Sequence, residues 1–476
     1  MSSLKKTIII FSLALTFCIT SPSNGTFAVV KKIDDNQQNY TYILKDEASI
    51  DKVKSLITSQ HPKAKLDVIK EVGIISVNIN DSLNEEKTIE EINNEIHPYV
   101  EDQGVLSNIS PPITQPDIKS NKTFKTSSIP QKDLIARDDS NDTNIRNLKS
   151  SKFIPFNWYL EDITSNYKTE YINKGKGTSI ALIDSGVDIN HLLLKNNLNL
   201  ENSRNYTGND NSVNDDQGHG TQVAGIIASI APETEIIPYK VMGETGGESI
   251  WVIEAIVDAA NQNVDTINLS LGTYKSTSSK EDSVLIKAYD RALQYAKKKG
   301  VVIVASAGND SSSLDELKKN KMLHIPGGLH NLITVSSNNK RDLLSSYSNY
   351  GKEIDFSAPG GDMGADFKTT GTIDYNELII TSYPKYLPNT PLDQKVGIPQ
   401  GYTLSLGSSL SAPQVSAAST LLISEYEKRH GKNPNINKIE NYLKRGSVDL
   451  GSKGKDEQFG NGKINIYNSL NKVIDN

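Results

Sequence analysis

The chain has little cysteine and little excess charge of either sign. Its 476 residues include one cysteine, Cys18, which lies in the N-terminal segment. A single cysteine cannot form a disulfide within the chain, and none remains if that segment is removed, so stability outside the cell must come from packing. The 51 basic and 57 acidic residues give a formal net charge of −6. That charge supplies no long-range attraction to phosphate backbones or anionic lipid, and it argues against nucleic-acid binding.

The chain also lacks the compositional bias of fibrous or disordered proteins. Its 32 glycines and 18 prolines fall well below the roughly 25–30% typical of low-complexity chains, and no Gly-x-y period is visible. Hydrophobic residues make up 36%, which is enough for a core. The length exceeds the roughly 250–300 residues at which single cores stop growing, so we expect two or more domains. No Gly-x-Gly-x-x-Gly turn follows a predicted strand, which excludes the usual dinucleotide site.

The N-terminus has the order of a secretory signal. Lys5 and Lys6 precede an apolar run over residues 8–19, and small and polar residues continue to Ala28. The run is shorter than the roughly 20 apolar residues that span a bilayer. We therefore expect a signal peptide over residues 1–28 and a secreted, extracellular product without a stable membrane anchor.

Residues 29–110 predict a small α+β domain, and residues 111–150 an exposed linker rich in proline and polar residues. The domain is predicted from these segments: a strand at Tyr40–Leu44, a helix at Ser49–Gln60 with Ser49 as its N-cap, two β-type stretches within Leu66–Ile79, and a helix at Glu85–Ile96. The linker is where proteolytic processing would concentrate.

Residues 151–476 alternate apolar strands with helices, which predicts an α/β domain with a parallel sheet and helices on both faces. Predicted strands lie at Ser179–Ile183, Ile236–Val241, Thr266–Ser270 and Val301–Ala305, and predicted helices at His219–Ile230, Ile250–Asn261, Ser283–Lys299 and Gln414–Tyr426. Ligand sites in such sheets lie beyond the carboxyl ends of the strands.

Four polar residues follow strands or open helices in this domain. Asp184 ends the first strand, and Asn309 follows the strand at Val301–Ala305. His219 and Ser409 each precede a helical run. Asp184, Ser409 and Asn309 are each more typical of a turn or a cap when taken alone, and His219 alone is as typical of a structural histidine as of a site residue. Together they supply a carboxylate, an imidazole, a hydroxyl nucleophile and an amide for an oxyanion, which is the set that acyl transfer through serine requires.

The local sequences around these residues resemble the subtilisin-like serine proteases. The motifs are Asp184-Ser185-Gly186-Val187-Asp188, His219-Gly220-Thr221-Gln222-Val223-Ala224-Gly225 and Gly407-Ser408-Ser409-Leu410-Ser411-Ala412-Pro413, in the family's order of Asp, His and Ser. The resemblance implies that Ser270, Leu271 and Gly272 form the edge that pairs with an extended peptide substrate. It also implies an endopeptidase activity and a subtilisin-like fold.

The chain departs from the family's pattern where calcium often binds. Leucines fill 192–194, after His191, and the helix from His219 continues without the usual loop. A hard cation needs about 6–8 oxygen ligands. We therefore expect no required cofactor, no metal among the site residues, and loss of the usual high-affinity calcium site. Weak structural calcium near Asp210, Asp215 or Asp216 stays open.

Within the family, the chain looks most like the secreted lantibiotic leader peptidases. That resemblance implies a modified lantibiotic precursor as the peptide substrate, with cleavage after arginine or another polar residue. Asp310, Asp315 and Glu316 are candidate partners for a cationic residue at that position. The alternatives are a broad-specificity extracellular protease and an inactive peptide-binding scaffold.

The N-terminal domain looks like a subtilase propeptide. The resemblance implies that it assists folding and inhibits the enzyme until it is removed, so the chain's own propeptide is a predicted partner. The bond between Arg137 and Asp138 lies in the exposed linker and is our candidate for self-processing. We expect the processed enzyme to be a monomer.

Overall fold

The computed structural model describes residues 39–79, 85–110, 148–150, 153–154, 156–208 and 210–475. The N-terminal unit is an antiparallel sheet with two helices. Its strands are β1 (Tyr40–Leu44), β2 (Lys65–Ile69), β3 (Ile74–Asn78) and β4 (Val100–Val105), in the order β2-β3-β1-β4. Its helices are α1 (Ile50–Gln60) and α2 (Glu85–Ile96). The predicted α+β unit is present, although the side chain of Ser49 makes no capping hydrogen bond to α1.

A seven-stranded parallel sheet forms the centre of the larger unit, which follows the short strand β5 (Asn108–Ile109). Its strand order is β15-β14-β12-β10-β6-β8-β7. The strands are β6 (Ser179–Asp184), β7 (Arg204–Asn205), β8 (Glu235–Lys240), β10 (Thr266–Leu269), β12 (Val302–Ser306), β14 (Ile333–Asn338) and β15 (Phe356–Pro359). Smaller pairings use β9 (Gly247–Glu248), β11 (Thr273–Ser276), β13 (Met322–Ile325), β16 (Ile379–Ser382) and β17 (Tyr402–Ser405).

Helices cover both faces of the parallel sheet, as the alternating sequence pattern predicts. They are α3 (Trp158–Ile163), α4 (His219–Ile230), α5 (Ser249–Asn261), α6 (Lys280–Lys298), α7 (Leu314–Lys319), α8 (Phe367–Thr370), α9 (Pro391–Val396), α10 (Ser408–His430), α11 (Ile436–Gly446) and α12 (Ile466–Ile474). Ile180 and Leu182 pack with α4 and α10, whereas Ala181 and Ile183 pack with α5 and α6. Successive strand residues point to opposite faces, so β6 contributes to two cores.

The N-terminal sheet also has two buried faces. Tyr42, Leu44 and Val77 pack within the N-terminal unit, against α1 and α2. Ile43 and Ile74, on the opposite face, belong to the same core as α5 and α6 of the larger unit. The N-terminal unit therefore covers these two helices with an apolar surface that they would otherwise leave exposed to water.

Polar contacts and a strand pairing reinforce this packing. Arg291 of α6 donates to the carbonyl oxygens of Val72 and Leu44, at 2.9 and 2.7 Å, and it is ion-paired with Glu101. Lys287 contacts Asp102 at 3.1 Å. The strand β5 pairs antiparallel with β9, so the end of the N-terminal unit joins an edge of the larger unit.

Among the residues that the structure describes, no helix has the length and apolar character needed to cross a membrane.

One buried lysine ties together distant segments of the larger unit. Lys463 is 4% exposed, and its Nζ lies 2.7 Å from Asp162 Oδ2 and 2.6 Å from Asp342 Oδ1. Burial disfavours the ammonium, but hydrogen bonds to both carboxylates outweigh that effect and raise the pKa of Lys463. The cation therefore links α3 to the turn after β14.

We predict that Lys463→Met destabilises the protein by about 2–3 kcal/mol, because two carboxylates lose their shared cation. The value is below the loss for fully buried pairs because both acids are partly exposed. Urea unfolding of the chain in a Ser409→Ala background, which prevents self-digestion, measures the change. Lys453→Met, at an exposed position, is the control. Equal unfolding midpoints for the two variants would contradict the prediction.

Candidate active site

Asp184 and His219 are hydrogen-bonded in the interior. β6 ends at Asp184 and α4 begins at His219, which brings Asp184 Oδ1 within 2.7 Å of His219 Nδ1. Both side chains are fully buried. The backbone N–H of Ser185 also donates to Asp184 Oδ1, at 2.8 Å. A carboxylate can only accept from Nδ1–H, so this pairing leaves the lone pair of the imidazole on Nε2.

His219 Nε2 is buried and has no hydrogen-bond partner among the described residues. The Ser409 hydroxyl is therefore not hydrogen-bonded to the imidazole here. Such contacts are commonly long before a substrate binds and tighten in the complex. The second ring nitrogen is thus available to accept a proton.

Ser409 lies in the first turn of α10, which begins six residues earlier than the sequence pattern predicts. Pro413 lies inside this helix and has no N–H to donate to the carbonyl oxygen of Ser409. That oxygen instead accepts the hydroxyl of Ser270, at 2.8 Å. The helix break that proline normally predicts is therefore absent, and the predicted substrate edge is joined directly to the predicted nucleophile.

Asn309 faces the same space as the Ser409 hydroxyl. Its Oδ1 accepts from the N–H and the hydroxyl of Ser408, at 2.9 and 2.7 Å, which turns its amide nitrogen the other way. A Cβ built on Gly407, whose φ is +147°, would lie 3.0 Å from Ser409 Oγ and 3.5 Å from Asn309 Nδ2. The hydroxyl and the amide donor therefore flank one small space, where an oxyanion could be stabilised.

Asp215 holds the Asp184 turn against the start of α4, a role that the sequence did not reveal. Its carboxylate accepts from the Ser185 hydroxyl, at 2.8 Å, and from the N–H of Gly218, at 2.8 Å. It also accepts the N–H and the hydroxyl of Thr221, at 2.8 and 2.6 Å. Burial raises the pKa of Asp215 despite these donors. Its position four residues before His219 was the only available signal.

The three acids that the sequence offers as weak calcium ligands all have partners within the protein. The oxygens of Asp215 are engaged by protein donors, so it does not fit a calcium ligand. Asp216 is ion-paired with Lys240, and Asp210 accepts from Asn205 in an exposed loop. Within the described residues, no group of three or more His, Cys, Asp or Glu side chains is placed to hold a metal ion.

The predicted substrate edge and the three acids proposed to bind a cationic side chain lie in different surroundings. Gly272 follows Ser270 beyond β10, whereas the side chain of Leu271 is buried in the core, so only its backbone could meet a peptide. Asp310, next to Asn309, accepts the hydroxyl of Tyr274 at 2.6 Å. The other candidate acids lie on α7, where Asp315 accepts the N–H of Lys352 and Glu316 contacts Lys319. Arg137 and Asp138 are outside the described residues.

The carboxyl ends of the central strands bring together an oriented imidazole, a serine at the start of a helix and an amide donor. This is the arrangement of a serine hydrolase. The sequence profile of the subtilase family matches residues 175–462. The chain therefore belongs to the subtilase family, and it is a serine endopeptidase.

Its relatives include peptidases that process lantibiotic leaders. The epidermin leader peptide-processing serine protease of Staphylococcus epidermidis is 29% identical over 395 residues, covering 74% of this chain and 83% of the relative. The nisin leader peptide-processing serine protease of Lactococcus lactis subsp. lactis is 27% identical, covering 77% of this chain and 57% of the relative. The crystal structure of a lanthipeptide protease is 41% identical, with a TM-score of 0.64, covering 67% of this chain and 94% of that structure.

We predict that Asp215→Asn lowers kcat by about 10- to 100-fold and leaves KM nearly unchanged. The amide cannot accept from all the donors that hold the Asp184 turn against His219, and small misplacements of reacting groups cost rate. Steady-state kinetics on a peptide substrate measure both constants. Asp210→Asn, in the exposed loop, is the control. An equal change in both variants, or a change in KM alone, would contradict a positioning role.

Proposed function

We propose that this protein is a secreted endopeptidase that uses Asp184, His219 and Ser409, and that it removes the leader from a lantibiotic-type precursor peptide. The observation that carries the proposal is the buried Asp184–His219 hydrogen bond beside the space that Ser409 and Asn309 flank. This geometry supplies each group that peptide-bond cleavage through serine needs.

Each residue has a distinct role in the proposed reaction. His219 Nε2 removes the proton of the Ser409 hydroxyl, and the oxygen attacks the substrate carbonyl. Asn309 Nδ2 donates a hydrogen bond to the oxyanion that forms. His219 then gives the proton to the leaving amine, and water releases the acyl group by the same steps in reverse. Asp184 holds the imidazole in the required tautomer and stabilises its charged form.

The substrate backbone would align along Ser270–Gly272. The hydrogen bond from Ser270 to the Ser409 carbonyl supports this placement, because it fixes the edge relative to the nucleophile. An extended peptide that adds to such an edge is held by main-chain hydrogen bonds from alternate residues. The reaction itself needs no metal or cofactor.

We assign residues 1–28 to a signal peptide, 29–110 to a propeptide, 111–150 to a linker with a processing site, and 151–476 to the peptidase domain. The packing of the N-terminal sheet on α5 and α6 supports the propeptide role, because it uses apolar area rather than a few surface contacts. The β5–β9 pairing supports a stable association of the propeptide with the peptidase, because it adds main-chain hydrogen bonds at a strand edge. The Arg137–Asp138 bond is the candidate cleavage point that the sequence pattern alone offers.

Leader removal is favoured over general digestion by the names of two relatives, both of which process lantibiotic leader peptides. Broad extracellular digestion is the second candidate.

We predict that the secreted wild-type protein begins at a later residue than the Ser409→Ala variant, because only the wild type can cut its own linker. N-terminal sequencing of both secreted forms gives the result. Ser278→Ala, at an exposed position, should be processed like the wild type. Identical termini in the wild type and Ser409→Ala would exclude self-processing, and equal peptidase activity would exclude Ser409 as the nucleophile.

We predict that the processed enzyme cuts a modified lantibiotic precursor at one bond, at the leader junction. Unrelated proteins such as casein should be cleaved at least about 100-fold more slowly, because they lack the sequence that the edge and its pockets recognise. Mass spectrometry of timed digests identifies the bonds. Rapid cleavage of casein at many sites would instead support the broad-specificity alternative.

A further inference from the structure

The side chain that precedes the scissile bond would enter a space between two strand extensions. β10 and β12 are neighbours in the sheet, and they continue as residues 270–272 and 307–309. In the proposed function, the first extension aligns the substrate and the second carries Asn309 beside the reacting carbonyl. The side chain on the carbonyl-bearing residue is therefore directed between the two extensions.

Glycine forms the walls of this space, and His324 lies between them. A Cβ at Gly272 would lie 2.4 Å from His324 Nε2, and a Cβ at Gly308 would lie 3.0 Å from the same atom. His324 reaches this position because β11 and β13 pair in a register that sets it opposite Tyr274. The centroids of the two rings are 5.0 Å apart. The imidazole therefore lies against both glycines, where it would form the floor beneath an entering side chain and limit how far that side chain could reach.

The imidazole is neutral and has hydrogen-bonding capacity to spare. His324 is 4% exposed, and burial lowers its pKa to about 4. Nδ1 is buried without a partner among the described residues, and Nε2 faces the two glycines. An unpaired buried N–H is rarer in proteins than an unpaired acceptor. We therefore assign the proton to Nε2, which points an N–H donor into the substrate space.

The neighbouring polar groups do not offer a buried anion to a cationic side chain. The hydroxyl of Tyr274 donates to Asp310 and accepts from Asn349, at 2.6 and 2.7 Å. Asn349 also donates to the carbonyl oxygen of Ala307 at 2.9 Å. Asp310 is exposed at the rim, where water screens its charge. The floor itself carries a neutral donor.

We propose that His324 determines the specificity of this space. It limits the length of the side chain that can enter and donates Nε2–H to a carboxylate or carboxamide. Cleavage then follows glutamate or glutamine in preference to arginine and to large aromatic residues. The inference rests on the proposed function and differs from the sequence expectation of a cationic residue paired with Asp310, Asp315 or Glu316.

Peptides that differ only in the residue before the scissile bond test this proposal. With Glu, Gln, Arg, Phe and Ala at that position, the wild type should show kcat/KM at least about 10-fold higher for Glu and Gln than for Arg and Phe. His324→Ala should lose the advantage of Glu and Gln over Ala, and it should cleave after Phe about 10-fold faster than the wild type. His324→Gln retains an N–H donor and should keep part of the preference.

Two further variants separate the possible outcomes. His330→Ala removes an exposed histidine and should leave the ranking unchanged. Asp310→Asn should also leave it unchanged. A wild-type preference for Arg that is lost in Asp310→Asn would overturn the proposal, as would an unchanged ranking in both folded His324 variants. Absence of cleavage of every peptide and of the precursor by processed wild type would instead contradict the proposed function.

The N-terminus of the secreted enzyme is an independent measurement. Gln131 lies in the linker, is followed by Lys132, and carries the carboxamide that the proposal requires. Self-processing after Gln131 would agree with the role of His324. A mature N-terminus at Asp138, which requires cleavage after Arg137, would count against it.

Discussion

The Asp184–His219 hydrogen bond lies in the interior, where water cannot replace either partner. A buried carboxylate without a partner costs several kcal/mol, so Asp184 depends on the donors that His219 Nδ1 and the N–H of Ser185 supply. The geometry of the pair is set by the backbone, since Asp184 ends a central strand and His219 begins a buried helix. Asp215 joins these two segments through neutral donors. The proposed proton transfer therefore depends on a rigid arrangement of backbone segments rather than on mobile surface side chains.

The proposed substrate space depends on positions where the chain lacks a side chain or a backbone N–H. Gly272 and Gly308 have no side chains, and Pro413 has no N–H. The first two absences make room for an incoming side chain above His324. The third frees the Ser409 carbonyl oxygen to hold Ser270. A narrow site beside a packed core can form only where side chains and donors are missing at selected positions.

The N-terminal unit is held against the larger unit by apolar packing. If the second face of the N-terminal sheet were polar, α1 and α2 alone would bury the apolar surface of the sheet. Ile43 and Ile74 lie on that second face, however, and they are buried against α5 and α6. Separation of the two units would expose this apolar surface on both partners, which disfavours release. Cleavage of the linker alone would leave these contacts intact. In the proposed precursor, inhibition would therefore end only when the N-terminal unit dissociates or is degraded.

The sequence determined the periodic and local features. The strand Tyr40–Leu44 and the helices Glu85–Ile96 and His219–Ile230 have the predicted bounds, because their apolar periods and flanking polar residues are continuous along the chain. The motifs around Asp184, His219 and Ser409 also sufficed to identify the family. Only the tertiary structure decided how α10 begins, since a carbonyl freed by Pro413 needs a partner from a distant strand. It likewise decided that Asp215 binds protein donors and that His324 lies between Gly272 and Gly308. These features depend on contacts between segments far apart in the chain, and no local pattern records which segments will meet.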